Sequence, residues 1–416
     1  MARQRLSGDF WKFWTGQTIS NLGSSFTFLV LPLLVFKLTG SAVNLAITTA
    51  AYFVPYLLFG LVIGALVDRV DRRRLMIGVD YGRAAVIASI PALAAVDALS
   101  VWWIYAVSFL TATLTIAFDA GEFAAVPSLV DRDDLVTANG RILASYQTAQ
   151  FAGPILAGSL IGAGMPIEDV LLIDAASFVA SAIALATVRR SFNAPDHAQR
   201  ELASLRRDVV EGLRYVLSHP VLRNISIMMA LFNFVGATTI TQLVLFAKER
   251  LDASDRQVGF LFSAGSAGIV LLSLAAGPIR RKLSFSVAAL GALMLYGILT
   301  FVFAWTEAFW VALPLWAAIS GLGLFFNINT QSLRQAIVPS HMLGRVVSIA
   351  GVLAWSAIPL GTLLGGYVIE ATGDVALVYA GIGVITFGIA FAFRFTALGH
   401  AEDFIEPSPV PLPEPT

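Results

Sequence analysis

The feature that most limits the fold of this chain is a series of long apolar runs with short connections between them. A transmembrane helix needs roughly 20 mostly apolar residues to cross about 30 Å of hydrocarbon, so 416 residues have room for about twelve spans. Of these residues, 57% are hydrophobic and only 13% are charged, which excludes an ordinary soluble domain. The sequence therefore predicts an all-α membrane protein of twelve transmembrane helices in two six-helix bundles.

Charged residues, Pro and Gly mark the ends of the predicted spans. These lie at residues 10–37, 43–67, 75–96, 101–123, 138–163, 168–188, 221–247, 257–278, 283–305, 308–331, 344–369 and 375–395. We predict an N-terminal bundle at 1–190, a cytosolic linker with an amphipathic helix at 191–220, a C-terminal bundle at 221–396 and a disordered cytosolic tail at 397–416.

Basic residues predict the orientation, because connections rich in Lys and Arg stay in the cytosol. They concentrate on the connections after the even-numbered spans, at Arg69, Arg72, Arg73, Arg74, Arg132, Arg280, Arg281, Lys282, Arg334 and Arg345, and in the linker. On the other side, the few basic residues near 250 are offset by acids. Both termini are therefore predicted to be cytosolic.

The two halves repeat three landmarks in the same order at a spacing near 210 residues. Val-Pro-Ser at 126–128 returns at 338–340, Gly-Arg at 140–141 returns at 344–345, and the Gly-Pro segment at 153–158 returns in altered form at 359–366. Duplicated halves are a common transporter architecture in which the substrate site lies between them near the midplane.

Several kinds of chemistry are absent from the sequence. Equal numbers of basic and acidic residues give no reason to expect nucleic acid as a partner. With no cysteine and four scattered histidines, the chain has no metal-ligand spacing. It also has no nucleotide-binding loop. We predict no cofactor, no metal and no enzymatic activity.

The connection between spans 2 and 3 reads GALVDRVDRRRL from Gly64 to Leu75. It resembles the signature loop of the major facilitator superfamily, G-x-L-x-D-R-x-G-R-R, with Asp71 at the second glycine. The resemblance implies a gating motif formed by Gly64, Asp68, Arg69, Arg72 and Arg73. In the family, the matching acid caps helix 11 and the arginines pair with acids on helix 4, which closes the cytosolic side. Alternatively, the arginines only set topology.

The resemblance extends over nearly the whole chain. Residues 10–14 (FWKFW), 174–178 (DAASF) and 211–215 (EGLRY) look like the bacterial branch of macrolide-efflux and enterobactin-exporter-type proteins. This branch implies export in exchange for protons and does not fix a substrate. We expect a monomer in the bacterial inner membrane. In helix 5, Gly153, Pro154 and Gly158 resemble an exporter signature, and small residues there would let helices 5 and 8 approach; ordinary helix packing is the alternative.

Ionisable residues inside spans are costly and mark function by default. Asp80 and Arg83 lie three residues apart and can form an intramembrane ion pair. Asp119, Glu122 and Asp174 are the proton-coupling candidates. Asp119 and Glu122 are also candidate partners of the signature arginines, and Asp174 can remain neutral by desolvation or find a partner on another helix.

The spans expected to line the cavity carry a set of polar residues among aromatic ones. These substrate-cavity candidates are Gln17, Asn21, Thr111, Thr115, Asn233, Thr238 and Gln242. Such a lining suits an amphiphile such as a drug, a siderophore or a secondary metabolite. An importer or lipid flippase on the same fold and a non-transporting membrane sensor remain as alternatives.

Overall fold

A computed structural model describes residues 6–67, 70–131, 134–192, 202–280, 282–338 and 340–404. Within these ranges the chain forms α-helices and, at the end of the last range, a 3₁₀ segment with a kink at His400, and it has no strand. The α-helices are α1 (Gly8–Thr39), α2 (Ala42–Val67), α3 (Arg72–Ala94), α4 (Val101–Leu129), α5 (Leu135–Gly162), α6 (Val170–Thr187), α7 (Leu202–Ser218), α8 (Pro220–Thr241), α9 (Leu243–Glu249), α10 (Asp255–Arg280), α11 (Phe285–Ala304), α12 (Phe309–Ile337), α13 (Ser340–Trp355), α14 (Ala357–Thr372) and α15 (Val375–Phe393); the 3₁₀ helix covers Ala397–Phe404.

Eleven helices in the described ranges are long and apolar enough to cross a membrane. The predicted all-α membrane architecture is therefore confirmed. Helix α5, which has 28 residues and corresponds to the predicted span 138–163, is outside this set of eleven. Polar residues such as Asn139, Arg141 and Gln147 occupy its first half. Two predicted spans are each built from two helices, with breaks at Gln242 and Ser356.

Local signals place the helix ends where short turns are needed. The Ser7 hydroxyl accepts a hydrogen bond from the Phe10 backbone N–H and caps α1. The same helix ends at Gly40, whose φ of 59° is the left-handed conformation that glycine adopts readily. At the start of α15 the Asp374 carboxylate accepts two backbone N–H groups. Tight caps of this kind bring consecutive helices back alongside one another.

The helices form two groups, which we call the first half (residues 6–192) and the second half (residues 220–404). The halves contact each other chiefly through α5 against α10 and α2 against α14. The linker helix α7 packs on α13, with Val216 in a small apolar cluster beside Leu222 and Val346. We call the end of the bundle where α1 begins the terminal end, and the end where α1 finishes the opposite end.

The prediction of a disordered tail from residue 397 is wrong for its first part. Residues Ala397–Phe404 form a 3₁₀ helix that buries Leu398 and Ala401. Its Glu402 accepts hydrogen bonds from the Ser286 backbone N–H (2.9 Å) and hydroxyl (2.8 Å) at the start of α11. A carboxylate at a helix N-terminus satisfies unpaired backbone donors, which holds this segment against α11. Residues 405–416 lie outside the described residues.

Candidate functional site

The centre of the first half contains a buried ion pair on α3. Asp80 and Arg83 form a salt bridge and are almost fully buried. The Arg83 guanidinium also lies over two aromatic rings, 4.2 Å from the centroid of Phe118 and 4.4 Å from that of Phe178. Cation–π contacts of this kind stabilise a cation that has lost its water. The charge of Arg83 is thus held in a fixed place between α3, α4 and α6.

A second buried acid, Asp174 of α6, has hydroxyl partners rather than a basic one. The Thr27 hydroxyl donates a hydrogen bond to one carboxylate oxygen. The other oxygen accepts from Ser177 at 3.2 Å and from Ser24 at 3.4 Å. A side chain at Gly23 would collide with both Ser177 and Asp174, so the absence of a side chain there lets α1 approach this acid.

The remaining two acids, Asp119 and Glu122, lie on α4. Asp119 is exposed and Glu122 is partly buried. Both interact electrostatically with Arg83, as do Asp80 and Asp174. Of these four acids, Asp80 alone forms a salt bridge with Arg83 in the part of the chain that the structure describes. We call Asp80, Asp119, Glu122, Asp174 and Arg83 the acid cluster.

Exposed tyrosines lie beside the acid cluster and connect it to the second half. Tyr52 of α2 and Tyr146 of α5 both interact electrostatically with Asp119. One turn from Tyr52, the ring of Tyr56 contacts Trp355 of α13 edge to face, with centroids 6.1 Å apart. The rings of Tyr52 and Tyr56 lie 6.0 Å apart, so a row of aromatic rings runs from Tyr52 to Trp355 in the other half.

Two arginines of the gating motif, Arg72 and Arg73, donate hydrogen bonds to backbone carbonyl groups at or just after the end of α6. Arg73 donates to the backbone carbonyls of Leu185 (3.0 Å) and Ala186 at the end of α6, and Arg72 donates to the Phe192 carbonyl at 3.2 Å. The negative end of a helix dipole attracts a cation, which explains the position of Arg73. The first glycine, Gly64, lies in α2; Asp68 and Arg69 lie outside the described residues.

The helix 5 motif lies at two different contacts. A side chain at Gly158 would come within 3.2 Å of the Asp255 carbonyl oxygen of α10, and one at Gly259 of α10 would lie 2.4 Å from the Pro154 carbonyl oxygen. Gly153 instead faces α1, where a side chain would strike the Ser25 hydroxyl. The motif thus holds α5 close to both α10 and α1.

Three of the seven substrate-cavity candidates are buried in helix contacts in this structure. The Gln17 amide donates to Ser181 at 3.3 Å, the Thr238 hydroxyl donates to the Gly361 carbonyl at 3.1 Å, and the Gln242 amide donates to the Ala42 carbonyl at 2.8 Å. Each of these three donors has a backbone or side-chain acceptor, because a buried donor without a partner is costly. The other four are partly buried: Asn21, Thr111, Thr115 and Asn233.

Sequence reasoning missed a group of contacts that joins the halves at the opposite end. Lys37 of the first half forms a 2.8 Å salt bridge with Asp255 of the second, and Asp255 also pairs with Lys248 at 2.7 Å. Glu370 of α14 accepts hydrogen bonds from the Ser41 hydroxyl (2.9 Å) and the Val43 backbone N–H (3.3 Å). In the sequence, the acidic and basic residues near position 250 were the only sign of these contacts. From sequence they indicated only a connection with little net charge.

With this geometry established, comparison with known proteins decides the family. A family described as transmembrane secretion effectors matches residues 6–415. The chain belongs to this family of the major facilitator superfamily. It is 30% identical to the multidrug efflux pump Tap of Mycolicibacterium fortuitum over 362 residues, which cover 84% of this chain and 87% of that protein. It is 24% identical to macrolide efflux protein A of Streptococcus pyogenes over 367 residues, covering 88% and 90% of the two chains.

Solved structures show the same major facilitator fold. A bacterial homologue of the human lysosomal transporter Spinster, solved in an inward-facing, unoccupied conformation, matches with a TM-score of 0.76 at 14% identity, over 98% of this chain and 100% of that one. A bacterial homologue of the iron transporter ferroportin matches with a TM-score of 0.72 at 17% identity, over 94% and 100%. The protein is therefore a multi-pass membrane transporter of this superfamily.

Proposed function

We propose that this protein is a proton-coupled exporter of a small amphiphilic compound that works by alternating access. The observation that carries the proposal is the acid cluster, in which Asp80 pairs with Arg83 and a second buried acid, Asp174, has hydroxyl partners. All five groups belong to the first half, so we infer that proton binding takes place there.

The charge balance of the acid cluster supports proton binding. If all four acids were ionised, one arginine would leave three negative charges uncompensated among the described residues. Uncompensated charge is expensive away from water, and like charges at close range disfavour ionisation of one another. The acids of the cluster can reduce this negative charge by binding protons.

Two of the candidates differ in their access to solvent. Asp119 is exposed, so it can exchange a proton with a water-filled space. Asp174 is buried and is enclosed by hydroxyls from two helices. A coupling acid must meet solvent in one state and be shielded in another. We infer that Asp119 and Glu122 exchange protons in the present state and that Asp174 requires movement of α1 against α6.

The contacts between halves support alternating access. At the opposite end, the halves are joined by the Lys37–Asp255 salt bridge and by the bonds of Glu370. In alternating access, rocking of the two halves converts a state that is closed at one end into a state that is closed at the other end. With the termini in the cytosol, the present state would be open inward.

Two observations support export of an amphiphile. The relatives are named as multidrug and macrolide efflux proteins, and aromatic surfaces beside acids, such as Tyr52 and Tyr146 near Asp119, suit ligands that are apolar with a polar or basic group. Because a hydrophobic compound partitions into the inner leaflet, an inward-open state next to that leaflet is suited to collecting it.

The test is pH-gradient-driven transport of a macrolide into everted membrane vesicles. Single amide variants at Asp119, Glu122 and Asp174 are compared with wild type, and Asp97→Asn, an exposed acid of the same half, is the matched control. We expect at least one of the three variants to lose uphill uptake while it still exchanges macrolide at equal concentrations, because binding remains and coupling is lost. Asp97→Asn should behave as wild type.

Two results would contradict the proposal. If all three amide variants kept gradient-driven uptake at the wild-type rate, coupling would not use these acids. If the gradient drove the compound out of everted vesicles instead, the protein would be an importer.

A further inference from the structure

A groove between α1 and α5 has the features of a lipid site and takes no part in the transport mechanism described above. Its volume is about 440 Å³, and its walls come from one face of each helix. On α5 the groove extends from Arg141 to Leu156, which is about 22 Å of helix at 1.5 Å per residue. That length matches an extended acyl chain of an ordinary phospholipid.

The groove lies on the outside of the bundle rather than toward the acid cluster. On α5 its lining residues include Arg141, Ser145, Thr148 and Ala152, which follow one another at helical spacing on one face. Tyr146, which interacts with Asp119, lies about 100° around the helix from Ser145. One face of α5 therefore lines the groove, and a different face carries Tyr146 near the acid cluster.

The terminal end of the groove is polar and positively charged. The Arg141 guanidinium stacks over the exposed ring of Trp11, 4.8 Å from its centroid, and the Trp14 indole N–H donates to the Arg141 backbone carbonyl at 3.1 Å. Arg141 itself is exposed and forms no salt bridge with a described residue. Tryptophan and arginine near helix ends are characteristic of the headgroup region.

The other end of the groove is apolar. Ala149, Ala152 and Leu156 of α5 face Leu22 of α1 there. Small apolar residues leave space in which an acyl chain can lie. A positive charge at headgroup depth above an apolar slot is complementary to a lipid with an anionic headgroup, in which the phosphate meets the guanidinium and a chain fills the slot.

We propose that this groove binds an anionic phospholipid of the leaflet at the terminal end, with its phosphate on Arg141 and one acyl chain between α1 and α5. Because the same helix carries Tyr146 on one face and contacts α10 at Pro154 on another, a lipid in the groove would support α5 from outside. The headgroup charge, rather than apolar contact alone, should determine which lipid is retained.

The test is native mass spectrometry of the delipidated, full-length protein titrated with phosphatidylglycerol or with phosphatidylcholine of the same chains. Arg141→Gln removes the charge, and Arg223→Gln, an exposed arginine near the start of α8, is the matched control. One basic residue near a lipid headgroup is worth about fivefold in affinity. We expect Arg141→Gln to weaken the first phosphatidylglycerol adduct about fivefold and to leave phosphatidylcholine binding unchanged, while Arg223→Gln changes neither.

A second pair of variants tests the slot itself. Ala144 lines the groove and is exposed, so Ala144→Phe fills space without disturbing a packed core, and its neighbour Leu143, also exposed but outside the groove, provides the control Leu143→Phe. Ala144→Phe should weaken binding of both lipids, and Leu143→Phe should not. The proposal is overturned if Arg141→Gln and Arg223→Gln bind phosphatidylglycerol equally, if wild type binds both lipids equally, or if Ala144→Phe binds as tightly as Leu143→Phe. Phosphatidylglycerol binding that a macrolide displaces would also overturn it, because the groove would then be a substrate site.

Discussion

Lys37 at the end of α1 and Asp255 at the start of α10 lie 2.8 Å apart and connect the two halves at the opposite end. Asp255 also holds Lys248 at 2.7 Å, so one carboxylate separates two ammonium groups. Removal of the carboxylate would both break the contact and leave two positive charges facing each other. This relationship makes Asp255 the most sensitive point at which to change the balance between the two states.

We therefore predict that Asp255→Asn increases opening at the opposite end. A partly exposed ion pair is worth about 1 kcal/mol at most, so opening should increase by up to about fivefold. The measurement is maleimide labelling of Ala46→Cys, a position buried between α2 and α14, in a chain that has no cysteine of its own. Asp252→Asn, an exposed acid three residues away, is the control. Equal labelling rates for the two variants would show that the salt bridge does not keep this end closed.

A second prediction concerns the contact of α5 with α10. At Gly259 a methyl group would lie 2.4 Å from the Pro154 carbonyl oxygen, and backbone cannot move aside as a flexible side chain can. Gly259→Ala should lower the midpoint of thermal unfolding in detergent by several degrees and reduce transport. Gly291→Ala in α11, where nothing lies within 4 Å of the added carbon, should be neutral or slightly stabilising because alanine favours a helix. A Gly259→Ala protein as stable as Gly291→Ala would mean that the helices are not tightly apposed.

Topology is a third prediction, made from the charges of the connections. Ser254→Cys, which is exposed at the opposite end, should react with a membrane-impermeant maleimide in intact cells. Ala194→Cys in the linker should react only after permeabilisation. Labelling of Ala194→Cys in intact cells would overturn the predicted orientation and, with it, the direction assigned to the open end.

The fold was predictable because it depends on properties that each segment carries by itself. Apolar length gives the spans, and the i, i+3 spacing of Asp80 and Arg83 places them on one face of a helix, where the structure has their salt bridge. Both features are local, so one sequence contains them in full.

The partners of the candidate site residues were less accessible from sequence. The hydroxyl of Thr27 lies 147 residues from Asp174 along the chain, and no local pattern connects them. Gln17, Thr238 and Gln242 were assigned to a cavity because they are polar residues in spans expected to line it. A membrane helix is apolar on the faces that meet lipid and on the faces that meet other helices. The spacing of its few polar residues therefore does not tell whether they face a cavity or a neighbouring helix.

The last prediction concerns the 3₁₀ helix at the end of the described chain, which Glu402 fastens to α11. Partial burial alone would raise the pKa of Glu402, but the hydrogen bonds from the backbone and hydroxyl of Ser286 outweigh burial, and the pKa lies below its usual 4.5. A carboxyl group whose pKa is lowered by docking stabilises the docked state above the pKa of the free group. That contribution is lost as the pH falls through the lower, docked value, so Glu402 should hold the segment throughout the neutral range.

A nearby histidine adds a second titrating group. The ring of His219 lies 6.0 Å from that of Phe404, its Nδ1 accepts the Leu222 backbone N–H, and burial lowers its pKa below 6.5. Protonation would remove that acceptor, so acidification below about 6.5 acts on His219 first and on Glu402 only below about 4.5. Both changes favour release of the segment.

A spin label at the exposed position His400→Cys reports release as a mobile spectral component. Glu402→Gln should increase the ratio of released to docked segment about fivefold at pH 7.5, because a charged cap of a helix N-terminus is worth about 1 kcal/mol. Asp403→Asn, at the exposed neighbouring acid, should have no effect. On acidification, a His219→Asn variant, which keeps a capping side chain, should stay docked until the pH approaches 4.5. Mobility that is the same in Glu402→Gln and Asp403→Asn would show that apolar burial of Leu398 and Ala401, and not the carboxylate, holds the segment to α11.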